Sequence, residues 1–304
     1  MKSVCVLIST YNGQRYLQEQ LDSLYAQRGA RLTILARDDG STDRTPDILR
    51  ENANANDCVK WYRGANLGPA ESFLNLIFGA PDADYYAFCD QDDVWDDDKL
   101  ICAVRMLGGI DRNKPALYHS NLRLVDKDLG YLGKAHDKPL AEPARYTALA
   151  EPVATGCTMV MNRAARELLC ERLPDRCKMH DEWTYLVVSL TGKVLYDFTP
   201  HISYRQHDDN VLSVKPDTKT LKVMKDKIVR MRGGGWIPRS ANAAELYGKY
   251  QDILTGRDAA MVKKMAEYRE SVSGRMRLLF EPHIHGSTAV KDLEYRIKVL
   301  LGIA

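Results

Sequence analysis

The first hundred residues alternate between short apolar runs and longer amphipathic segments. Four runs are apolar at nearly every position, at residues 4–8, 32–36, 59–62 and 85–89. Such continuous runs are typical of strands that are buried on both faces of a parallel sheet.

The segments between these runs carry helical periodicity. Leu17, Leu21 and Leu24 recur at helical spacing after Asn12, which we expect to cap their helix. Thr45 and Pro46 suit the first turn of a second helix, and 73–78 carries the apolar face of a third. The β–α–β–α–β–α–β order predicts an α/β fold with a mostly parallel sheet between two layers of helices.

The same kind of pattern continues to residue 214. Further strands are predicted at 116–118, 122–125, 155–161, 193–196 and 202–207, with helices at 163–171 and from 179 onwards. The polar, proline-containing stretch 137–146 is predicted to be a loop that covers or shapes a crevice.

The character of the chain changes at about residue 215. Lysines and arginines crowd an amphipathic helical pattern at 219–232, and more amphipathic segments follow to residue 304. We therefore predict a main domain at 1–214 and a basic, helical C-terminal region at 215–304. A basic amphipathic helix suits an anionic membrane surface or an anionic lipid-linked substrate. The alternative is a solvated helical face that packs back on the main domain.

Polar clusters follow each of the first four predicted strands, at 9–13, 38–43, 66–68 and 90–93. The carboxyl ends of parallel strands share one edge of a sheet, so these clusters are expected to meet in one crevice. No glycine-rich dinucleotide motif follows the first strand, and no P-loop motif occurs in the chain. A nucleotide pocket here would have to use carboxylates and hydroxyls.

The most informative cluster is the acidic one, where Asp90, Asp92 and Asp93 follow a strand rich in aromatic residues. Packed carboxylates repel one another unless a positive group neutralises them. A divalent metal that carries a phosphorylated ligand would do so, because hard oxygen ligands suit Mg²⁺ or Mn²⁺. The alternative is that these residues cap the next helix or line a solvated loop.

Composition narrows the setting. The net charge of +2 argues against nucleic acid as a partner of the whole protein. Seven cysteines without a C-x-x-C pair favour a reducing, cytoplasmic setting and no zinc site. The apolar run near the start of the sequence gives way to polar residues too early for a signal peptide, and no apolar stretch is long enough to span a membrane.

The ordered set of motifs resembles the family 2 glycosyltransferases of the GT-A fold, over about residues 1–214. It comprises Ser9-Thr10-Tyr11-Asn12-Gly13, Asp38-Asp39-Gly40-Ser41-Thr42-Asp43, Asn66-x-Gly68, Asp90-Gln91-Asp92-Asp93 and His180-Asp181-Glu182-Trp183. The stretch 155–207 is also similar to the bacterial rhamnosyltransferase-like subgroup, although Glu182 stands where that subgroup often has Trp.

The resemblance implies a role for each of these residues. Thr10, Tyr11 and Asp39 are expected to hold the nucleobase of the nucleotide-sugar donor. Asp90 is expected near the ribose and Arg205 at a phosphate. The other expected donor-binding residues are Asn12 and Asn66. Asp92 and His207 are the expected ligands of a Mn²⁺ or Mg²⁺ ion.

Asp181 is the expected general base of an inverting single displacement. A carboxylate can accept the proton of the acceptor hydroxyl as that oxygen attacks. Without the resemblance, Asp181 would be interpreted as a helix cap. Glu182 is the alternative base, and Gly156, Glu182 and Trp183 are predicted to shape the sugar or acceptor pocket. Trp183 is equally compatible with a place in the core.

Together these features predict a metal-dependent enzyme that moves a sugar from a nucleoside diphosphate to a glycan or lipid-linked acceptor. The resemblance favours dTDP-rhamnose as donor and a bacterial surface polysaccharide as product. We expect a cytoplasmic protein, peripheral at the inner face of the cell membrane. The alternatives are a sugar nucleotidyltransferase, which would need a glycine-rich loop after the first strand, and a non-catalytic module that binds nucleotide sugars without a base.

Overall fold

The computed structural model describes residues 1–140, 145–207 and 237–304. The strands are β1 Lys2–Thr10, β2 Ala30–Asp38, β3 Val59–Arg63, β4 Tyr85–Cys89, β5 Val94–Trp95, β6 Ala116–Val125, β7 Tyr131–Lys134, β8 Val160–Asn162 and β9 Lys193–Arg205. The helices of the first two described ranges are α1 Leu17–Tyr25, α2 Thr45–Ala55, α3 Pro69–Gly79, α4 Lys99–Leu107, α5 Thr147–Ala150, α6 Arg163–Glu171 and α7 His180–Thr191. The last range contains α8 Arg239–Tyr250, α9 Gly256–Glu267, α10 Val272–Leu279 and α11 Ala289–Leu301.

The strands form one sheet in the order β3-β2-β1-β4-β8-β6-β9-β5, with β7 beside β6. The long ladders, β1 with β2 and β6 with β9, are parallel, as are β1–β4 and β2–β3. Antiparallel pairing is confined to short ladders such as β4–β8 and β5–β9. The predicted α/β architecture with a mostly parallel sheet is confirmed.

The apolar runs are continuous because both faces of the sheet are covered. Val4, Val6 and Ile8 of β1 belong to one hydrophobic cluster, whereas Cys5 and Leu7 belong to another on the opposite face. All five side chains are fully buried. Alternate side chains of a strand point to opposite faces, so such a strand must be apolar throughout.

Several predicted boundaries need correction. The predicted strands 116–118 and 122–125 lie in one long strand, β6. The predicted strands 193–196 and 202–207 likewise fall in one long strand, β9, which ends at Arg205. The pairing of β6 with β9 shifts register near Asn121. Residues 155–161 form a short 3₁₀ turn at Gly156–Thr158 and then β8, instead of one strand. Asn12 does not cap α1, because that helix begins at Leu17 and has Tyr16 at its N-cap.

The C-terminal helices share the hydrophobic core of the sheet. Leu246 and Tyr250 of α8 belong to the same cluster as Trp183 of α7. Arg145 and Tyr146 both bond the buried carboxylate of Asp258 in α9, at 2.9 Å. Residues 237–304 are mostly helical, and their helices pack on the sheet domain through a common core.

Some predictions fall outside the described residues. These are the domain boundary at 214 and 215, the basic helix at 219–232, and part of the covering loop, residues 141–144. Among the residues that the structure does describe, none of the helices has the length and apolar character to cross a membrane.

Candidate active site

A cavity of about 350 Å³ opens at the carboxyl edge of the parallel strands. The sheet register places the loops there, because Thr10 pairs with Asp38 at the ends of β1 and β2 and Ile8 pairs with Cys89 at the end of β4. The predicted site residues that line the cavity are Tyr11, Asp39, Asn66, Asp90, Asp92, Gly156 and Asp181. The expected convergence of the polar loops is therefore observed.

Tyr11 is held at the rim of the cavity by Gln91. The Tyr11 amide donates to Gln91 Oε1 at 2.9 Å, and Gln91 Nε2 donates to the Tyr11 carbonyl at 3.0 Å. Gly13 permits this approach, since a Cβ there would lie 2.1 Å from Gln91 Oε1. The Tyr11 side chain remains 48% exposed. Sequence reasoning did not assign a role to Gln91, although its place between Asp90 and Asp92 was a signal.

Asp39 holds the turn that carries Asn66. Its carboxylate accepts hydrogen bonds from the amides of Leu67 and Gly68, both at 2.9 Å, and forms an ion pair with Arg37. The residue is 3% exposed. Gly68 has φ of +80°, a left-handed conformation that other residues rarely adopt. Asp39 thus fixes the Asn66–Gly68 turn as well as lining the cavity.

Asp92 lies beside His207. Asp92 Oδ2 and His207 Nε2 are 2.8 Å apart, and both side chains are mostly buried. Mn²⁺ accepts both carboxylate oxygen and imidazole nitrogen as ligands, together with the phosphate oxygens of a bound nucleotide. Mg²⁺ accepts the carboxylate and phosphate oxygens of the same set. The residues present therefore fit a divalent ion at this point.

Behind Asp92, the other two carboxylates are packed against Cys157. Ligand atoms of Asp90, Asp93 and Cys157 all lie within 4.8 Å of one another. Burial raises the pKa of the Asp90 and Asp93 carboxyls, and repulsion from Asp92 raises it further. Asp93 is fully buried, and its Oδ1 accepts a hydrogen bond from the Arg205 amide at 3.1 Å.

A buried cation lies under this acidic loop. The ammonium of Lys99 donates to the Cys157 carbonyl and sits 4.1 Å from the ring centre of Trp95. Lys99 has no exposed surface, and burial lowers the pKa of its ammonium while nearby thiols and carboxylates oppose that shift. The sequence argument named a divalent metal as the neutralising charge and did not foresee Lys99, which α4 places beside these carboxylates.

Asp181 lies in the first turn of α7 and faces the cavity. Its carboxylate accepts hydrogen bonds from the Gly156 amide at 3.0 Å and from its neighbour Glu182 at 2.7 Å. Burial raises the pKa of the Asp181 carboxyl, and these two amides limit the rise because they stabilise the ionised form. Asp181 is thus a buried carboxylate in a fixed orientation with an elevated proton affinity.

Three residues that were predicted to bind the nucleotide-sugar donor do not line the cavity. Thr10 is fully buried, and its hydroxyl donates to the Arg37 carbonyl at 3.3 Å. Asn12 has φ of +48°, and its side chain accepts from the Thr42 amide at 2.9 Å. Arg205 is 2% exposed and donates to the carbonyls of Asp92 at 2.8 Å and Lys127 at 2.6 Å. These side chains brace the loops that form the site.

The two residues after Asp181 also point away from the cavity. Trp183 is 2% exposed and packs edge-on to Tyr250 at 6.1 Å between ring centres, so the structure supports its core interpretation over stacking on a sugar. Glu182 forms ion pairs with Lys178 at 3.7 Å and Arg239 at 3.4 Å. Both side chains thus hold α7 against neighbouring segments, Trp183 by packing and Glu182 by ion pairs.

The sequence profile described as Glycosyl transferase family 2 matches residues 5–169, which is more than half of the chain. The chain belongs to this family. The resemblance seen in the motifs is thereby confirmed, and the protein is a glycosyltransferase.

Relatives of this family 2 glycosyltransferase include the dTDP-rhamnosyl transferase RfbG of Shigella flexneri. The two sequences are 28% identical over 247 residues, which cover 73% of this chain and 81% of RfbG. An uncharacterized glycosyltransferase of Nostoc is 39% identical over 98 residues, covering 32% of this chain and 30% of that protein.

Among solved structures, residues 1–349 of S. aureus TarS in complex with UDP-GlcNAc superpose on this glycosyltransferase with a TM-score of 0.53. The alignment covers 99% of this chain and 92% of the TarS chain at 15% sequence identity. At that identity the similarity shows the fold alone, and the GT-A-like fold is confirmed.

Proposed function

We propose that this family 2 glycosyltransferase transfers rhamnose from dTDP-rhamnose to a hydroxyl of a lipid-linked bacterial surface polysaccharide, with inversion at the anomeric carbon. One observation carries the proposal. One cavity is lined by Tyr11 and Asn66 at its rim, by the Asp90 and Asp92 carboxylates, and by the buried carboxylate of Asp181.

The donor would lie with its base at the rim and its diphosphate at the acidic loop. The half-exposed ring of Tyr11 offers a flat surface for stacking a base, and the Gln91 bridge keeps it in place. The ribose would meet Asp90 and the turn that Asp39 holds. Preorganisation of this kind lowers the entropy cost of binding.

Asp92 and His207 would hold the divalent ion. When bound, a Mn²⁺ or Mg²⁺ ion neutralises the diphosphate and stabilises it as a leaving group. The acidic loop itself stays compact because Lys99 lies beneath it and the Arg205 amide bonds Asp93.

Asp181 would accept the proton of the acceptor. In a single displacement the acceptor oxygen forms a bond to the anomeric carbon while the bond from that carbon to the diphosphate oxygen breaks. The proton of the acceptor hydroxyl passes to the Asp181 carboxylate, whose raised pKa strengthens it as a base. The bonds from Gly156 and Glu182 keep the carboxylate oriented through this step.

The choice of rhamnose and of thymidine rests on similarity to RfbG, which is named as a dTDP-rhamnosyl transferase. The choice of a lipid-linked acceptor at the inner membrane face rests on the basic amphipathic sequence at 219–232. A cytoplasmic location with peripheral attachment follows from the same proposal.

The test is release of dTDP from dTDP-rhamnose by the purified full chain, with Mn²⁺ or Mg²⁺ and a panel of octyl glycosides as acceptors. We expect acceptor-stimulated release that stops on chelation by EDTA. UDP-GlcNAc and GDP-mannose serve as control donors. Tight binding of dTDP-rhamnose without turnover on any acceptor would favour a non-catalytic binding module, and turnover of a control donor alone would overturn the choice of rhamnose.

A further inference from the structure

His180 is a buried histidine at the wall of the cavity that has no role in the steps above. It precedes Asp181 and lines the cavity, yet it is only 3% exposed. Its ring stacks on Phe73 with 3.9 Å between ring centres and meets the edge of Phe88 at 4.6 Å. The imidazole is therefore held in one position by two aromatic side chains.

Neither ring nitrogen of His180 has a hydrogen-bond partner among the residues that the structure describes. A buried polar group without a partner is destabilising, because nothing replaces the hydrogen bonds that it would make to water. Burial lowers the pKa of the imidazole to about 3, so the ring is neutral and offers one donor and one acceptor.

Packing alone does not account for a histidine at this position. A phenylalanine would fill nearly the same volume between Phe73 and Phe88 without leaving two nitrogens unbonded. A buried polar group without a partner at the wall of a binding cavity is a candidate for a hydrogen bond to the ligand.

The Nε2 edge of the ring faces Gly156. A Cβ on Gly156 would lie 2.9 Å from His180 Nε2, so only a glycine fits against this edge of the ring, which is itself buried. The Gly156 amide bonds the Asp181 carboxylate, which places the Nε2 edge next to the proposed base. The acceptor oxygen and the anomeric carbon must meet at that base.

We propose that His180 hydrogen-bonds a hydroxyl group of the sugar at the point of transfer and so contributes to the choice of sugar. The inference rests on the proposed function. The hydroxyl belongs either to the pyranose of the donor or to the acceptor. Both have the same chemistry, and the experiment separates them.

The test compares His180→Phe with the wild type and with His119→Phe. His119 is a matched control, because it is also buried, also has an unpartnered Nε2 among the described residues, and also has a pKa lowered to about 3 by burial. It packs against Tyr185 and Tyr196 instead of lining the cavity.

Three quantities are measured for each protein: the ligand-free melting temperature, the Kd of dTDP and of dTDP-rhamnose with Mn²⁺, and dTDP release with octyl glycosides. His180→Phe should melt at the wild-type temperature or above it. If the hydroxyl belongs to the donor, the Kd of dTDP-rhamnose should rise about tenfold while that of dTDP stays unchanged. If the hydroxyl belongs to the acceptor, both Kd values should remain unchanged and the rate of dTDP release should fall about tenfold. His119→Phe should show neither change.

Wild-type affinities and release in a folded His180→Phe would overturn the inference. Should that variant not fold, His180→Asn and His180→Ala replace it, since Asn keeps a donor and an acceptor. Equal function of these two at equal melting temperature would also overturn it. If the wild type itself releases no dTDP, the proposed function fails irrespective of these variants, so the two failures are distinguishable.

Discussion

Asp92 and His207 lie 115 positions apart in the sequence, and their side chains approach to 2.8 Å between Oδ2 and Nε2. His207 lies two residues after the end of β9, and Asp92 lies in the loop between β4 and β5. The short antiparallel pairing of β5 with β9 brings the two loops together. Two potential ligands from distant segments thus meet, and one of them, Asp92, lines the cavity.

Replacement of either residue should weaken metal-dependent donor binding. We expect Asp92→Asn and His207→Ala each to weaken Mn²⁺-dependent dTDP binding by at least about tenfold, because even partners outside a coordination sphere are worth that much. Isothermal titration at varied Mn²⁺ measures the effect. Asp97→Asn is the control, since that carboxylate is 51% exposed and pairs with Arg28. Unchanged Mn²⁺ dependence in both variants would place the metal elsewhere.

Asp181→Asn should remove turnover and leave the donor site intact. Loss of a general base costs on the order of 10² to 10⁴-fold in rate. The dTDP affinity should stay at the wild-type level, because Asn has nearly the same shape as Asp. Glu182→Gln is the matched control, since Glu182 pairs with Lys178 and Arg239 outside the cavity. A large loss in Glu182→Gln with normal turnover in Asp181→Asn would exchange the two roles.

The rate of sugar transfer should fall at low pH, and the midpoint of this fall should lie at a pH above 3.8, the ordinary pKa of an aspartate carboxyl. Burial raises the Asp181 pKa, so the carboxyl takes up its proton at a higher pH than a free aspartate, and the protonated form cannot act as a base. Activity is therefore present above the raised pKa and is lost as the pH falls through it. A kcat profile at saturating Mn²⁺ and donor measures this limb. Its persistence in the residual activity of Asp181→Asn would assign it to another group.

Gly156→Ala should disturb the base without filling the nucleotide site. The new methyl would lie 2.9 Å from His180 Nε2 and 3.3 Å from the Asp181 Cβ. His180 cannot move freely between Phe73 and Phe88, so the α7 start must shift. A misplacement near 1 Å costs about 10²-fold in rate. Gly79→Ala is the control, because nothing lies within 4 Å of a Cβ there. Full turnover in Gly156→Ala would show that the wall is deformable.

Trp183 should matter for stability and not for sugar binding. Trp183→Ala should lower the free energy of unfolding by about 3–5 kcal/mol, the cost of truncating a buried aromatic residue. Trp183→Phe should keep turnover, since the side chain packs against Tyr250 in the core. Chemical denaturation and a turnover assay measure the two effects. A folded Trp183→Phe with a raised KM for the acceptor would restore the stacking role.

The order of strands and helices and the edge that holds the site follow from the sequence by itself. Parallel connectivity sends every strand exit to the same edge, so the loops after β1, β2, β3 and β4 had to meet. The residues that those loops contribute, such as Tyr11, Asp39 and Asp90, were identifiable because they follow directly on apolar runs. Asp181 was predicted from its motif, and the fold places it at the same cavity.

Only the tertiary structure decided which side chains face the cavity and which support it. Whether Trp183 lies in the core depends on Tyr250, 67 residues later in the chain, and no local pattern predicts that contact. The cation beneath the acidic loop is Lys99, whose partner is the carbonyl of Cys157, 58 positions away. Local sequence determines strands, helices and turns because those depend on neighbouring residues. Burial and charge pairing depend on distant residues, so a polar residue such as Arg205 or His180 acquires its role only when the chain has folded around it.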